Sequence, residues 1–321
     1  MAKRNFSNLQ YLMMFVEAIV IVPLVNIISF FCPYDKIYNL SKKIGAIILI
    51  IAPIKQKIIG ENLAIIFPEK KYSVQEIKEI SLIIVSYEFR ILLEMISFSK
   101  MNFQEIISYI RIIQSDQIAS FYHAQSTGVV SFSLHYGNWE LLGSVMNQVG
   151  IPLACLVERQ FNPWIDKYLQ FLRKKLGIKT VYNEISQMRS LLTYMRNKGS
   201  VALVADQTYW FDPLFIPFFN KEAAVPQGTA SLALKMNSSL CFGYSQYISA
   251  GIYAINLDMN IISNYQKNKL SVEQLMKIVY HRYEEVIKQD VTNWYTLGSD
   301  RWALTKESLK EWNKNPDSSR F

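Results

Sequence analysis

The sequence predicts an α/β fold, a central and largely parallel sheet flanked by helices, with a membrane-embedded helix at its N-terminal end. Three observations predict it. After Gly128, strand, turn and helix recur at short intervals. The helices are punctuated by residues suited to their ends: Asn138 and Asn162-Pro163 stand where helices should start, Gly177 and Gly199 where they should stop. And Leu12 to Cys32 is apolar apart from Glu17, Pro23, Asn26 and Ser29, long enough to cross a bilayer core.

Composition agrees with that mixture. Half of the 321 residues are apolar and 19% are charged, rich for a soluble enzyme and poor for a multi-span membrane protein. The net charge is +8. Much of the excess sits near the apolar segment, in Lys3, Arg4, Lys36, Lys42, Lys43, Lys55 and Lys57 against Glu17 and Asp35. Basic residues beside a membrane segment are drawn to anionic lipid, although the same charges would serve as a solvated face. Lys3 and Arg4 would keep the N-terminus cytoplasmic, and no small-residue cleavage site follows, which reads as an uncleaved anchor. Ile44 to Ile54 is apolar but too short to span alone. The favoured arrangement is a helix embedded in the cytoplasmic leaflet; a full span, a re-entrant pair with Ile44 to Ile54 and a core-packed helix are the alternatives.

The chain divides into an anchor at residues 1–32, a helical segment at 33–110, an α/β domain at 111–309 and a polar tail at 310–321 that is expected to fray. Phe67-Pro68 stops one helix, and the capping box Ser73-Val74-Gln75-Glu76 opens another. Val74, Ile77, Ile80, Ile84, Tyr87, Ile91, Met95 and Phe98 give that helix one apolar face as far as Phe98. The alternating region follows: strand Val129–Leu134 with helix Trp139–Val149, strand Pro152–Val157 with helix Pro163–Leu176, strand Lys179–Tyr182 with helix Ile185–Asn197, then strand Val201–Ala205. Leu240–Tyr247 and Ile252–Asp258 form a hairpin at the edge of the sheet. Val272–Gln289 is a closing helix.

Candidate chemistry gathers at the carboxyl ends of these strands, where open α/β sheets hold ligands. His135 ends the first strand, and Glu140 lies in the first turn of the next helix. A hydroxyl needs a base to attack at neutral pH, and a histidine oriented by a carboxylate is such a base. By spacing alone the pair equally describes a loop histidine beside a helix-capping glutamate. No G-x-S-x-G elbow accompanies it, so direct attack by a bound acceptor is favoured over an acyl-enzyme. Arg159 follows the second strand, where a guanidinium can hold a phosphate or an oxyanion; an ion pair with Glu158 or Asp166 is the plainer reading. Asp206-Gln207 ends the strand from Val201, placed to fix Arg159 or the acceptor, or merely to shape a loop. Tyr209 to Phe211 and Phe215 to Phe219 are aromatic enough for an acyl channel or a headgroup belt, and equally for a core. Arg173-Lys174-Lys175 and Lys179 form a basic cluster that could receive an acidic carrier protein. Cys32, Cys155 and Cys241 match no metal or redox spacing, and with only His123, His135 and His281 a histidine-rich metal site is not expected. No groove-reading motif points to nucleic acid.

Together these residues resemble the lysophospholipid acyltransferase superfamily, and more closely its bacterial lipid A late acyltransferase branch, the lauroyl and myristoyl transferases. The superfamily's H-x4-D/E motif stands as His135-Tyr-Gly-Asn-Trp-Glu140, its Arg-Asn-Pro region as Arg159 with Asn162-Pro163, and its Asp-Gln step as Asp206-Gln207. Phe218-Phe219, Pro226-Gln227-Gly228, Asn62-Leu63 and Phe67-Pro68-Glu69 match in the expected order, so the resemblance covers about residues 10 to 302. It implies a glycerolipid acyltransferase-like fold and a membrane-bound O-acyltransferase of the bacterial inner membrane, working on the cytoplasmic face. His135 would deprotonate an acceptor hydroxyl with Glu140 orienting it, and Arg159, Asp206, Asn138 and Gln207 would bind or position substrate. The donor would be an acyl thioester on acyl carrier protein or coenzyme A, the acceptor a lipid A precursor or related glycolipid. No metal or redox cofactor is implied, and a monomer is expected. Asn220 replaces the usual glycine, Leu234-Lys235 the usual arginines, and Trp294 to Trp302 lacks the usual histidine. Other acceptors therefore stay open: an amino-acid lipid, a phosphatidylinositol mannoside or a lysophospholipid. So does hydrolysis of the thioester.

Overall fold

The computed structural model describes residues 8–112, 115–124, 128–261 and 269–314. Lys3, Arg4 and the tail beyond residue 314 lie outside them. Seven strands form the main sheet in the order β1-β9-β8-β2-β5-β3-β4. These are β1 (Ile110–Ile112), β2 (Val129–Ser133), β3 (Leu153–Val157), β4 (Lys179–Tyr182), β5 (Ser200–Val204), β8 (Ser239–Ser249) and β9 (Ile252–Asp258). Every neighbouring pair is parallel except β8–β9, so the sheet is largely parallel as predicted. A separate antiparallel ribbon joins β6 (Leu214–Phe218) to β7 (Lys221–Val225).

β2 is buried along its whole length, because β5 and β8 flank it and helices cover it. Helix α8 (Trp139–Gln148) packs across β3 and β8, and α11 (Gly228–Lys235) packs on β2 and on α12 (Val272–Gln289). From α12 two buried tyrosines reach the strand ends: Tyr283 Oη donates to Ser133 O at 2.6 Å and Tyr280 Oη to Ala205 O at 2.5 Å. A third bond, Ala205 N to Ser133 O at 3.1 Å, closes the same corner. The carboxyl ends of β2 and β5 are thereby fixed side by side.

Three expectations are corrected. The hairpin β8–β9 is not at the edge, because β8 lies against β2 and the short strand β1 covers β9. The long helix from Val74 is two helices, α4 (Val74–Val85) and α5 (Tyr87–Phe98). Ser86 separates them: its hydroxyl donates to Ile83 O at 2.8 Å and its N–H to the same carbonyl, a local bond that competes with the helical ladder. The tail from Lys310 is not frayed at its start, since α13 (Lys306–Lys314) carries the helix that far.

Ahead of the sheet, α1 (Asn8–Phe31) packs on α5 and on α9 (Pro163–Lys175). It is the one helix among the described residues long and apolar enough to cross a membrane, from Gln10 to Phe31. Met14, Ala18, Val25 and Ser29 form its buried face, while Leu12, Val16, Ile19, Val20, Ile27 and Phe31 are exposed. Next come α2 (Ile37–Ile51) and α3 (Ile54–Ile66), bent by 103° at Ala52-Pro53. Ile47, Ile50, Ile51 and Ile54 stand exposed at that corner.

Candidate active site

The turn His135 to Asn138 leaves β2 under tight constraint. Gly137 has φ +57°, and a Cβ there would lie 2.1 Å from Ser245 O, so only glycine fits. Its N–H donates to Asn293 O at 2.9 Å. Asn138 then caps α8, its Oδ1 accepting from Leu141 N at 2.9 Å. Its Nδ2 donates to Glu94 Oε2 at 2.7 Å, and its N–H and C=O are both met by Ser245 Oγ, at 2.8 and 2.7 Å. Asn138 was expected among substrate-contacting residues. It is instead fully buried and locks the turn, because a capping side chain is consumed by the backbone it caps.

His135 was expected to meet Glu140. Its partner is Asp206. The register Ser133↔Val204 in the parallel pair β2–β5 carries both residues, two positions further on, to the same height. His135 Nδ1 lies 2.6 Å from Asp206 Oδ1, and the His135 N–H donates to the same oxygen at 3.1 Å. Oδ2 accepts from Trp294 Nε1 at 2.8 Å and Thr296 Oγ1 at 2.7 Å. Burial alone would raise this carboxyl. The His135 charge and the hydrogen bonds from His135, Thr296 and Trp294 outweigh it and hold the group at about 2 rather than 3.8. An ionised carboxylate only accepts, so Nδ1 carries the proton and the lone pair of Nε2 is left free. Trp139 meets the imidazole edge-on at 4.7 Å, with Tyr295 at 6.0 Å.

The sign of the Asp206 shift sets a pH dependence. The native group stays ionised below the pH at which the unfolded one protonates, so its stabilisation is full above about pH 4 and lost as pH falls toward about 2, about 2 kcal/mol in all. Acid unfolding should show this loss in the native protein and lack it in Asp206→Asn. Equal acid dependence of the two would contradict the pairing.

Glu140 turns the other way. At the second position of α8 it faces α9, where both its oxygens meet Arg173: Nη2 at 2.6 Å to Oε1, Nε at 3.0 Å to Oε2 and 3.2 Å to Oε1. Arg173 is buried, drawn inward from the basic cluster, while Lys174 and Lys175 stay exposed. Arg159 is half-exposed. It pairs with Glu184 and, at 3.8 Å, with Asp166, and it lies 3.9 Å over the Tyr182 ring. Asp206 was expected to fix Arg159 or the acceptor and instead spends its oxygens on the histidine side. Phe218 is core, 5.8 Å from Trp294 and 5.6 Å from Trp302.

A cavity of about 810 Å³ joins these residues, at the upper end of the range for small-molecule sites, about 300–1,000 Å³. His135, Trp139, Glu140, Arg159, Arg173, Gln207, Tyr209 and Tyr295 line it, and so do apolar side chains including Leu92, Met95, Met146, Leu169 and Leu191. Sequence placed Arg173 only in a surface basic cluster and Trp294 only at the start of a stretch lacking a histidine, and it did not single out Thr296. Arg173 was hidden in a run of surface lysines, and the other two lie 88 and 90 residues from the carboxylate they serve.

These features define an α/β enzyme with a histidine–carboxylate pair at the carboxyl ends of adjacent strands, opening on a large and mainly apolar cavity. No curated protein matches the chain. The family model of bacterial lipid A biosynthesis acyltransferases matches residues 2–302. The chain belongs to that family and is an acyltransferase.

Proposed function

We propose that the protein transfers a fatty acyl chain from an acyl thioester, carried by acyl carrier protein or coenzyme A, to a hydroxyl of a lipid A precursor, with His135 as general base. The observation that carries this reading is the 2.6 Å contact between His135 and the buried carboxylate of Asp206, beside a cavity roomy enough for an acyl chain. Nε2 takes the acceptor's hydroxyl proton as the oxygen attacks the thioester carbonyl. The tetrahedral intermediate collapses, the C–S bond breaks, and the imidazolium returns the proton to the leaving thiolate. Asp206 holds the tautomer and steadies the imidazolium. Glu140 pins Arg173 in the cavity wall, and Arg159 and Gln207 meet polar parts of the substrates. The test is to supply acyl thioester with and without lipid A precursor and follow acylated lipid and free fatty acid separately. Acceptor-dependent lipid product supports transfer, and fatty acid release indifferent to acceptor would make the enzyme a hydrolase.

The site works at the cytoplasmic face of the inner membrane, with α1 lying in one leaflet. A helix bound along one face to α5 and α9 cannot stand clear of the body, and its outer face is apolar from Leu12 to Phe31. The Ile50-Ile51 corner, 81% and 79% exposed, is a second insertion point. Ile50→Ser with Ile51→Ser replaces exposed apolar side chains by small hydroxyl ones and removes no buried contact. It should shift the protein from vesicles toward the soluble fraction with its thermal stability unchanged. Undiminished vesicle binding would remove the corner from the lipid contact.

A further inference from the structure

Asn62 and Lys55 have no part in the chemistry described so far, yet both lie on α3 and both end on one short turn. Asn62 is 5% exposed. Its Nδ2 donates to Leu297 O at 2.8 Å and to Ser299 O at 2.9 Å. Lys55 Nζ donates to the carbonyl between them, Gly298 O, at 3.1 Å. Three successive carbonyls are thus held from one helix. Behind them the backbone sits close on α4, where a Cβ at Gly298 would lie 2.8 Å from Ile84 Cγ2. The turn Tyr295–Gly298 is a single 3-10 turn, too short to hold a shape by its own hydrogen bonds.

What that turn carries is the far side of the His135–Asp206 pair. Trp294 and Thr296 supply both hydrogen bonds to Asp206 Oδ2. Tyr295 N donates to His135 O at 2.9 Å, and the Tyr295 ring lies 5.6 Å from Trp139 beside the imidazole. A shift of the 297–299 carbonyls therefore moves Thr296 along the same backbone, and the 2.7 Å bond to Asp206 has no slack for it. The amide suits the task because it offers two N–H groups and two carbonyls converge on it.

We propose that Asn62, assisted by Lys55, is a positioning residue for acyl transfer, setting the Trp294–Thr296 donors on Asp206 and so the basicity of His135. This rests on the His135–Asp206 reading of the site. When the donors loosen, the carboxylate keeps more of its charge for the imidazolium. The acid limb of the rate profile then moves up.

The experiment is the pH profile of acyl transfer by the full-length, detergent-solubilised enzyme with a synthetic acyl thioester and a lipid A precursor. Asn62→Ala should lower kcat about tenfold with both KM values within about twofold, and raise the acid limb by about half a pH unit. Lys55→Ala, at an exposed position, should move the limb the same way by less, and it serves if Asn62→Ala does not fold. Asn62→Ala combined with Thr296→Val should lose no more than the worse single variant, since both act through one bond. An acid limb unmoved in every variant that folds would overturn the proposal, and so would additive losses in the double variant. Failure of the underlying reading looks different: His135→Ala would then retain full activity.

Discussion

His135→Ala is expected to lower acyl transfer by about a thousandfold or more while leaving the fold intact. Among the described residues at the strand ends, the imidazole is the one group with one ring nitrogen free while the other is held. Asp206 takes Nδ1–H at 2.6 Å, so Nε2 is committed to accepting a proton. The side chain is 18% exposed and on the cavity wall, and the one buried group its removal deprives of a bond is Asp206. That carboxylate keeps Trp294, Thr296 and the His135 backbone N–H. Asp206→Asn is the companion. Four donors converge on the two carboxylate oxygens, so an amide NH2 in either orientation faces a donor. The variant should lose activity by about a hundredfold to ten-thousandfold. Single-turnover transfer with circular dichroism of each variant checks both. Activity near the native level in His135→Ala would end the general-base reading.

The second large effect is on stability. Glu140→Ala should destabilise the protein by about 3–5 kcal/mol, because it strands the Arg173 cation in a buried site. The pair is 11% and 9% exposed at its side chains and is joined by a two-nitrogen fork. Burial works against the Arg173 charge, and Glu140 more than offsets it, keeping the guanidinium more firmly protonated than usual. Replacing both partners, Glu140→Leu with Arg173→Met, should restore much of that stability, since neither charge is then left alone. The double variant also separates two roles for Glu140. If the carboxylate only pins Arg173, the double variant keeps activity well above that of His135→Ala. If Glu140 acted on the histidine, the double variant would be as inactive as His135→Ala although stable. Thermal denaturation with transfer assays on the three variants decides it.

The difference between Glu140 and Asp206 shows what local sequence can carry. A strand, a turn and a capped helix are short-range facts, and residues 129–148 were legible as such, as were α9 and α12. The partner of His135 is set by sheet order. β5 lies beside β2, and 71 residues separate the two side chains. Spacing pointed to Glu140 because five positions can close across a turn, but the direction of α8 sends that carboxylate to α9. The edge strand β1 is three residues long and leaves no periodic trace. The break at Ser86 was invisible for the opposite reason: the apolar face continues through it, and only a side-chain bond to Ile83 O interrupts the helix.

One further consequence belongs to α1. Polar contacts fasten it to the body at successive levels. Asn162 donates to Met14 O and Glu17, Asn26 donates to Tyr168 Oη at 2.6 Å, and Ser29 meets Ser97 at 3.2 Å. From Met14 to Ser29 the helix rises about 22 Å. Held at three levels over that length, it is a keel and not a tether. Whatever surface the outer side of the keel meets, His135 sits at one fixed height and one fixed angle to it. On the proposed reading, an acceptor hydroxyl has to be offered at that height, so acceptors would be sorted by how far their hydroxyl stands from the surface before any contact reads their chemistry.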